Sequence, residues 1–367
     1  MAAKDCGYAI ITSGDLTECE EHIRKRQPQV IILDLQMPGL DGVEVLRRLA
    51  DFGSRSAILL VSGMEHKVCQ TAVRYGRELG LSMLGYRQKP VPLDELRSAL
   101  RNIRVPETRL TVAELGHTLD QHELVVHYQP QMSLRPTTGA PQKLEALIRY
   151  QQRDGTVLPP GEIIAAAETS GLIGSLTWQV IDQVLGNLQA WAARGFVPRI
   201  AVNLSPVLLD DPDLPDRVQT LVKKRDMDTS VLQFEITESG LPKDVTRSME
   251  ILTRLRLKGF HLSMDDFGTG YSSLLQLLRY PFNELKVDQT FVKEMRHNSE
   301  AHSMVKASID LSHSLGLHVC AEGVEDGETL EELRRLGCDS AQGFHISPAL
   351  PGEQIESFMT TLTVQRN

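Results

Sequence analysis

The sequence predicts an α/β protein in two parts, a doubly wound unit over residues 1–104 followed by a TIM-type (β/α)8 barrel over residues 105–367. Three observations carry that expectation. Short runs of Ile, Leu and Val alternate with amphipathic stretches, the pattern of buried parallel strands joined by helices. From His122 onward the strand-then-helix unit repeats over about 250 residues, the length a barrel needs. The predicted strand ends also collect carboxylates and amides, which a barrel brings to one mouth more readily than a long open sheet does.

Composition sets the outer limits. At 367 residues the chain is long for one domain and comfortable for two, and 41% hydrophobic content is ordinary for a globular protein with a large core. A formal net charge of -9 argues against a surface for nucleic-acid polymers, yet a small anionic substrate could be held by metals and local cations. The five cysteines, Cys6, Cys19, Cys69, Cys320 and Cys338, form no C-x-x-C pair, so neither a disulfide framework nor a zinc ribbon is expected. No signal-peptide pattern opens the chain, and no apolar run approaches the ~20 residues of a membrane span. The expectation is a cytoplasmic protein with no membrane contact.

In the first unit, residues 8–11, 30–33, 57–61 and 81–84 read as buried parallel strands, with helices over 16–26, 43–49 and 93–103. Asp34 ends one strand and precedes Leu35-Gln36-Met37-Pro38-Gly39, Ser62 ends the next, and Lys89-Pro90 follows the last. In these positions the unit resembles a response-regulator receiver domain of flavodoxin-like fold. The resemblance implies that Asp34 accepts a phosphoryl group, that Ser62 and Lys89 contact it, and that a histidine kinase is a partner. The family's first strand, its helix and its Mg²⁺-holding acidic pair are missing, so the chain starts at the expected second strand. In the flavodoxin-like order the first strand lies between the second and third, so the sheet must have a gap or pair differently. Without the acidic pair nothing neutralises a phosphate arriving beside Asp34, and phosphorylation is expected to be inefficient. Three readings stay open: a trimmed working receiver, a vestigial interaction module, and a receiver completed by another chain.

Arg104-Val105-Pro106 marks the expected boundary, and a helix over residues 110–120 starts the second unit. Strands are expected at 125–127, 143–148, 199–204, 232–236, 261–264, 284–287, 318–321 and 340–344. Amphipathic helices are expected at 177–193, 245–257, 303–315 and 328–336.

Chemistry concentrates in Met264-Asp265-Asp266-Phe267-Gly268-Thr269-Gly270, where two adjacent carboxylates stand at a predicted strand end before a Gly-rich turn. Ionised side by side, they repel unless a strong positive charge or a pair of metal ions is near. Taken alone, the pair could equally cap a helix or shape its turn. The other strand ends weigh against that: they carry Glu145, Asn203, Glu235, Lys286, Asp288, Glu322, Glu325 and Gln342. Burying so much negative charge without compensation is costly, which makes bound cations a physical expectation. An all-oxygen set favours Mg²⁺ or Mn²⁺ over zinc. Two such ions about 4 Å apart, bridged by a carboxylate and a water, suit phosphodiester hydrolysis.

With Glu145-Ala146-Leu147 as its name motif, the chain from residue 110 to 362 resembles an EAL domain, the cyclic di-GMP phosphodiesterase family. The resemblance implies a modified barrel with an antiparallel first strand, and hydrolysis of one phosphodiester of cyclic di-GMP to linear pGpG. It implies that Glu145, Asn203, Glu235 and Asp265 hold one ion, that Asp265 bridges to a second, and that Asp266 and Glu322 complete the second. Gln129 and Arg149 match substrate contacts, Glu325, Gln342 and Asp288 match surrounding or guanine-side positions, and Glu238 anchors the loop after Asp266, a candidate gate over 267–273. Lys286 has two roles open to it, orienting or neutralising by charge, or relaying a proton. A homodimer through the barrel, or a tetramer with the receivers, is the implied assembly. The family's Ser-Arg-Pro after Gln-Gly-aromatic is replaced by Phe344-His345-Ile346-Ser347-Pro348, which touches the guanine rim and not the metals. The rival function is a cyclic di-GMP receptor or scaffold without turnover; its usual sign is loss of metal or Lys positions, all of which are present here.

Overall fold

A computed structural model describes residues 3, 6, 8–14, 16–26, 28–37, 40–54, 56–101, 115–116, 124–135, 143–151, 157–158, 160–241, 245–268 and 273–364. The chain divides into two compact units, Met1–Arg109 and Leu110–Asn367. The boundary expected at residues 104–106, and all but residues 115–116 of the helix expected over 110–120, lie outside the described residues.

The first unit runs α1 (Leu16–Arg26), β1 (Val30–Asp34), a two-residue pair β2 (Gln36–Met37) and β3 (Leu40–Asp41), α2 (Gly42–Asp51), β4 (Ala57–Ser62), α3 (His66–Glu78), β5 (Ser82–Gln88) and α4 (Leu93–Arg101). Val45, Leu46 and Leu49 recur at helical spacing, so α2 buries one stripe against the sheet, and Asp41 caps its start by accepting from the Val43 amide. The sheet is parallel and three-stranded, in the order β1-β4-β5. Residues 8–11, expected as a strand, form none, and Ile10 and Ile11 are 41% and 43% exposed. In the flavodoxin-like order this segment reaches the sheet only through the first strand. Apolar residues without a ladder partner do not make a strand. Asp34, Ser62 and Lys89 do meet at the C-terminal ends of the three strands, with Lys89 Nζ 2.5 Å from Asp34 Oδ2.

The second unit is a closed barrel. Its strands are β6 (Leu124–Ser133), β7 (Lys143–Gln151), β9 (Arg199–Asn203), β10 (Leu232–Thr237), β11 (His261–Phe267), β12 (Glu284–Val287), β13 (His318–Ala321) and β14 (Ser340–Ala341). They pair in the order β6-β14-β13-β12-β11-β10-β9-β7, and β7 returns to β6. β6 is antiparallel to both its neighbours while the remaining pairings are parallel. Short β8 (Val157–Leu158) adds to β7, and β15 (Leu350–Pro351) adds to β6. The helices are α5 (Pro160–Ser170), α6 (Ile173–Ala192), α7 (Leu214–Lys223), α8 (Val245–Leu257), α9 (Ser273–Arg279), α10 (Gln289–Glu294), α11 (Ser299–Ser314), α12 (Gly327–Arg335) and α13 (Gly352–Val364).

Alternation along each strand decides which side chains meet which layer. Leu144 and Ala146, Ile200 and Val202, Phe234 and Ile236, Leu262 and Met264, and Leu285 and Val287 join Val184, Leu188, Leu252, Leu255, Val305 and Ile309 of the helices in one buried core. Each full burial of such a side chain contributes about 1.5–3 kcal/mol. The intervening residues line the barrel and are polar: Glu145, Gln233, Glu235, Ser263, Asp265 and Lys286 are all buried.

Several strand ends depart from expectation: β6 runs on to Ser133 instead of ending at 127, β7 runs on to Gln151 instead of ending at 148, and two others bear on the site. β11 continues through Asp265 and Asp266 to Phe267, because its pairing with β12 shifts between Met264 and Phe267 and the acid pair sits in that irregularity. β14 is only Ser340–Ala341, so Gln342 stands just beyond it.

Candidate active site

Lys286, in the middle of β12, has no exposed surface, and its ammonium lies where four strand ends converge. Nζ is 2.5 Å from Glu322 Oε1, 2.8 Å from Glu235 Oε2, 3.3 Å from Asp265 Oδ1 and 3.4 Å from Glu145 Oε2. Burial alone would lower the Lys286 pKa, but Asp265, Glu145, Glu235 and Glu322 together hold it well above the ordinary value. It is a fixed cation. The carboxylates are not fully matched by it: burial pushes Glu235, Glu322 and Asp265 upward, with mutual repulsion adding to the rise.

Local backbone explains how adjacent aspartates serve one site. Asp266 has φ +55°, a left-handed conformation that Asp tolerates better than most residues, and its amide donates to Asp265 Oδ1 at 3.0 Å. Such a conformation at the irregularity in β11 frees the two side chains from strict strand alternation. Burial, then the Asp265 and Asp288 charges, raise Asp266 to about 7. Asp265, Asp266 and Glu322 each offer an oxygen within 4.8 Å of the others. Glu235 Oε1 is buried with no hydrogen-bond partner among the described residues. An all-oxygen donor set with surplus negative charge and an unsatisfied buried carboxylate oxygen fits a hard divalent cation.

The structure places the remaining expected residues at varying distances from this centre. Gln342 Nε2 donates to Glu145 Oε2 at 2.5 Å and to Gln129 Oε1 at 3.0 Å, and Asn203 Nδ2 donates to Glu145 Oε1 at 3.2 Å, which fixes that carboxylate from both sides. Gln129, expected against substrate, also donates to the Ser347 carbonyl at 2.9 Å. Asp288 is buried and accepts from the Thr290 amide, capping α10 beside Asp266. Glu238 is buried, and its Oε2 accepts from the Gly268 amide at 3.2 Å; residues 269–272 of the candidate gate lie outside the described residues. Arg149 is half-buried and donates to the Ile148 carbonyl. Glu325 sits at the rim with its side chain 53% exposed, 2.8 Å from Lys293 Nζ.

Of these groups, Gln129, Glu145, Asp265, Glu322, Glu325 and Gln342 line an open cleft of about 600 Å³, with Phe344 in its wall. A second, more apolar cleft of about 800 Å³ opens beside Asn203 and Glu235, with Leu147, Ile164, Leu176 and Val180 in its wall. Sequence motifs do not point to that second cleft, since its lining comes from β7, α5, α6, β9 and β10, which are far apart in the chain. A basal cluster is also absent from the motifs: Glu284 accepts from Gln233 Nε2 at 2.9 Å, contacts Lys143 and lies 3.1 Å from His318 Nδ1. Its signal in the sequence is the polar spacing Gln233-x-Glu235, Glu284-x-Lys286 and Lys143-x-Glu145.

A closed α/β barrel with an acidic, all-oxygen centre at the C-terminal ends of its strands is the class that fold and site define. The chain belongs to the EAL domain family, which residues 112–349 match, and residues 2–101 match the response regulator receiver domain. It is 33% identical over 333 residues to the cyclic di-GMP phosphodiesterase RocR of Pseudomonas aeruginosa, covering 88% of this chain and 84% of RocR. It is 33% identical to the cyclic di-GMP phosphodiesterase PdeR of Escherichia coli, over 70% of this chain and 38% of PdeR. Among solved structures, a complex of the PaMucR phosphodiesterase with c-di-GMP is 36% identical, with a TM-score of 0.62, covering 66% of this chain and 98% of that one. Among the described residues no helix is long and apolar enough to cross a membrane.

Proposed function

We propose that this protein hydrolyses one phosphodiester bond of cyclic di-GMP to linear pGpG with two Mg²⁺ or Mn²⁺ ions, in a cytoplasmic signalling chain whose receiver spans residues 1–104 and whose barrel domain spans 105–367. The observation that carries this reading is the buried Lys286 among Glu145, Glu235, Asp265 and Glu322, beside the Asp265, Asp266 and Glu322 oxygens. A degenerate receptor would be expected to lack members of this set. RocR and PdeR, named as cyclic di-GMP phosphodiesterases, support the substrate.

Glu145, Asn203, Glu235 and Asp265 would hold one ion, and Asp265, Asp266 and Glu322 would hold the other. When bound, the ions supply Lewis-acid charge at the scissile phosphate and make water a nucleophile at neutral pH. Lys286 Nζ holds the carboxylates together and offers positive charge to the phosphate oxygens or the attacking water. Gln342 and Asn203 keep Glu145 oriented, and Glu238 ties down the backbone that follows Asp266. Gln129, Arg149, Glu325, Gln342 and Asp288 are assigned to the substrate side of the site. One water adds to phosphorus, one P–O3′ bond breaks, and the other phosphodiester remains.

Assembly as a homodimer through the barrel belongs to this reading, and Leu274, Leu275 and Leu278 on α9 are 50–60% exposed, an apolar face suited to it. Asp34 is the position at which a histidine kinase would act on the receiver, with inefficient phosphorylation expected there. Chelation tests the metal requirement: turnover should vanish in excess EDTA and return with Mg²⁺ or Mn²⁺, whereas Ca²⁺, with its larger and looser shell, should not restore it. Turnover that survives chelation would refute the metal-dependent mechanism.

A further inference from the structure

Barrel interiors of this fold are ordinarily filled by layers of Val, Ile and Leu. Here two charged layers are stacked along one strand. Lys286 reaches across the lumen to Glu145 on β7, a strand not adjacent to β12, and two residues earlier Glu284 does the same to Lys143. Glu284 also accepts from Gln233 of β10, across β11. Contacts of this kind show that the side chains point into the barrel and that its axis is polar at both levels.

Level with those layers lie buried polar atoms that have no hydrogen-bond partner among the described residues. Gln131 is 5% exposed and both its Nε2 and Oε1 are unpaired, while Ser263 is 0% exposed and its Oγ is unpaired. Ser263 registers with Glu235 on one side and Glu284 on the other, and Gln131 registers with Lys143. Ser340, whose neighbour is the Cys320 thiol, registers with Cys320, which in turn registers with Lys286. Leaving an amide and a hydroxyl dry in such a place costs about 1–3 kcal/mol for each group. Buried water with two to four polar partners is the ordinary remedy.

We propose that the barrel lumen holds an internal water cluster, bound by Gln131 and Ser263, that bridges the Lys286 layer to the Glu284 layer. Its ligand is water, and its place is the floor of the candidate active site. Reorientable water beneath the carboxylates lowers the electrostatic cost of changing their net charge, which is what divalent cation binding does. That second consequence rests on the metal reading above; the water cluster itself does not.

The test compares the full-length protein with the double variant Gln131→Leu/Ser263→Ala, neither position belonging to the site itself. Oxygen-17 magnetic relaxation dispersion counts long-lived internal waters in solution. The wild type should show a slow-water signal that the variant loses while keeping a cooperative melt, since an apolar pocket stays dry. Mn²⁺ titrated calorimetrically should bind the variant more weakly. An undiminished signal in the variant would overturn the water cluster, and unchanged Mn²⁺ affinity would overturn its role beneath the carboxylates. If the variant fails to fold, a high-resolution crystal structure of the wild type decides: ordered water bonded to Gln131 and Ser263 supports the proposal, and a dry lumen refutes it. Failure of Mn²⁺ to bind either protein would count against the metal reading, with the relaxation signal still deciding the cluster.

Discussion

Lys286 is the residue on which the site balances. With four carboxylates within 3.4 Å of one ammonium, replacing it by Met leaves their repulsion unopposed. Lys286→Met should keep the fold, shown by circular dichroism, yet reduce kcat by at least about 100-fold, the scale of a positioned acid, base or charge. Near-wild-type kcat in a folded variant would remove Lys286 from the mechanism. The glycines are less forgiving. A Cβ on Gly343 would lie 2.2 Å from the Val324 carbonyl oxygen and 2.3 Å from its amide nitrogen, both backbone atoms that cannot swing aside. Gly343→Ala should therefore lower the melting temperature and displace Gln342, its neighbour. Most residues of this centre are legible in the sequence, because Asn203, Glu235, Asp265, Lys286 and Glu322 stand near the C-terminal ends of their strands and Glu145, the third of nine residues in β7, lies in the Glu-Ala-Leu motif. The network among them is not: Gln129 reads as a substrate contact, whereas in the fold it also accepts from Gln342 and donates to Ser347. Such bonds join residues about 200 positions apart and leave no local pattern.

At the scale of elements, β11 carries most of the argument. Its C-terminal irregularity presents Asp265 and Asp266, and the backbone beyond them is tied to Glu238 of the preceding strand-loop unit through the Gly268 amide. Glu238→Ala removes that acceptor without removing a ligand, so metal affinity and turnover should fall together while the ligand set survives; wild-type values for both would refute the anchor. The other end of β11 sets a pH dependence. Burial, then Arg199, Arg256 and Lys143, hold His261 near 4, below the ordinary value of 6.5. Between those values the unfolded chain binds a proton that the folded chain refuses, so stability should fall as pH drops from 6.5 towards 4. His261→Gln should flatten the melting-temperature slope in that window, and an unaltered slope would exclude His261 as its source. In the barrel, strand existence is readable from apolar runs, but strand ends are not. Periodicity stops at Met264, whereas the ladder continues to Phe267 because the irregularity admits two charged residues.

For the whole molecule, the two units explain different parts of the sequence. Parallel pairing and the meeting of Asp34 with Lys89 follow from apolar runs and strand-end chemistry in the first unit. The failure of residues 8–11 to join the sheet does not, since apolar content reports burial potential and cannot report whether a ladder partner is present. Barrel closure was implied by the count of repeats, while the antiparallel setting of β6 came only from family resemblance, because Gln129 and Glu145 become neighbours through a pairing that periodicity cannot orient. What the barrel achieves is convergence: residues from β7, β10, β11, β12 and the turn after β13 meet at one ammonium, beneath an open cleft lined by Glu145, Asp265 and Glu322. The most direct measurement is to incubate the full-length protein with cyclic di-GMP and Mg²⁺ or Mn²⁺ and to resolve the nucleotides by chromatography. The account predicts metal-dependent conversion to pGpG; cyclic di-GMP bound but uncleaved with both metals would contradict it.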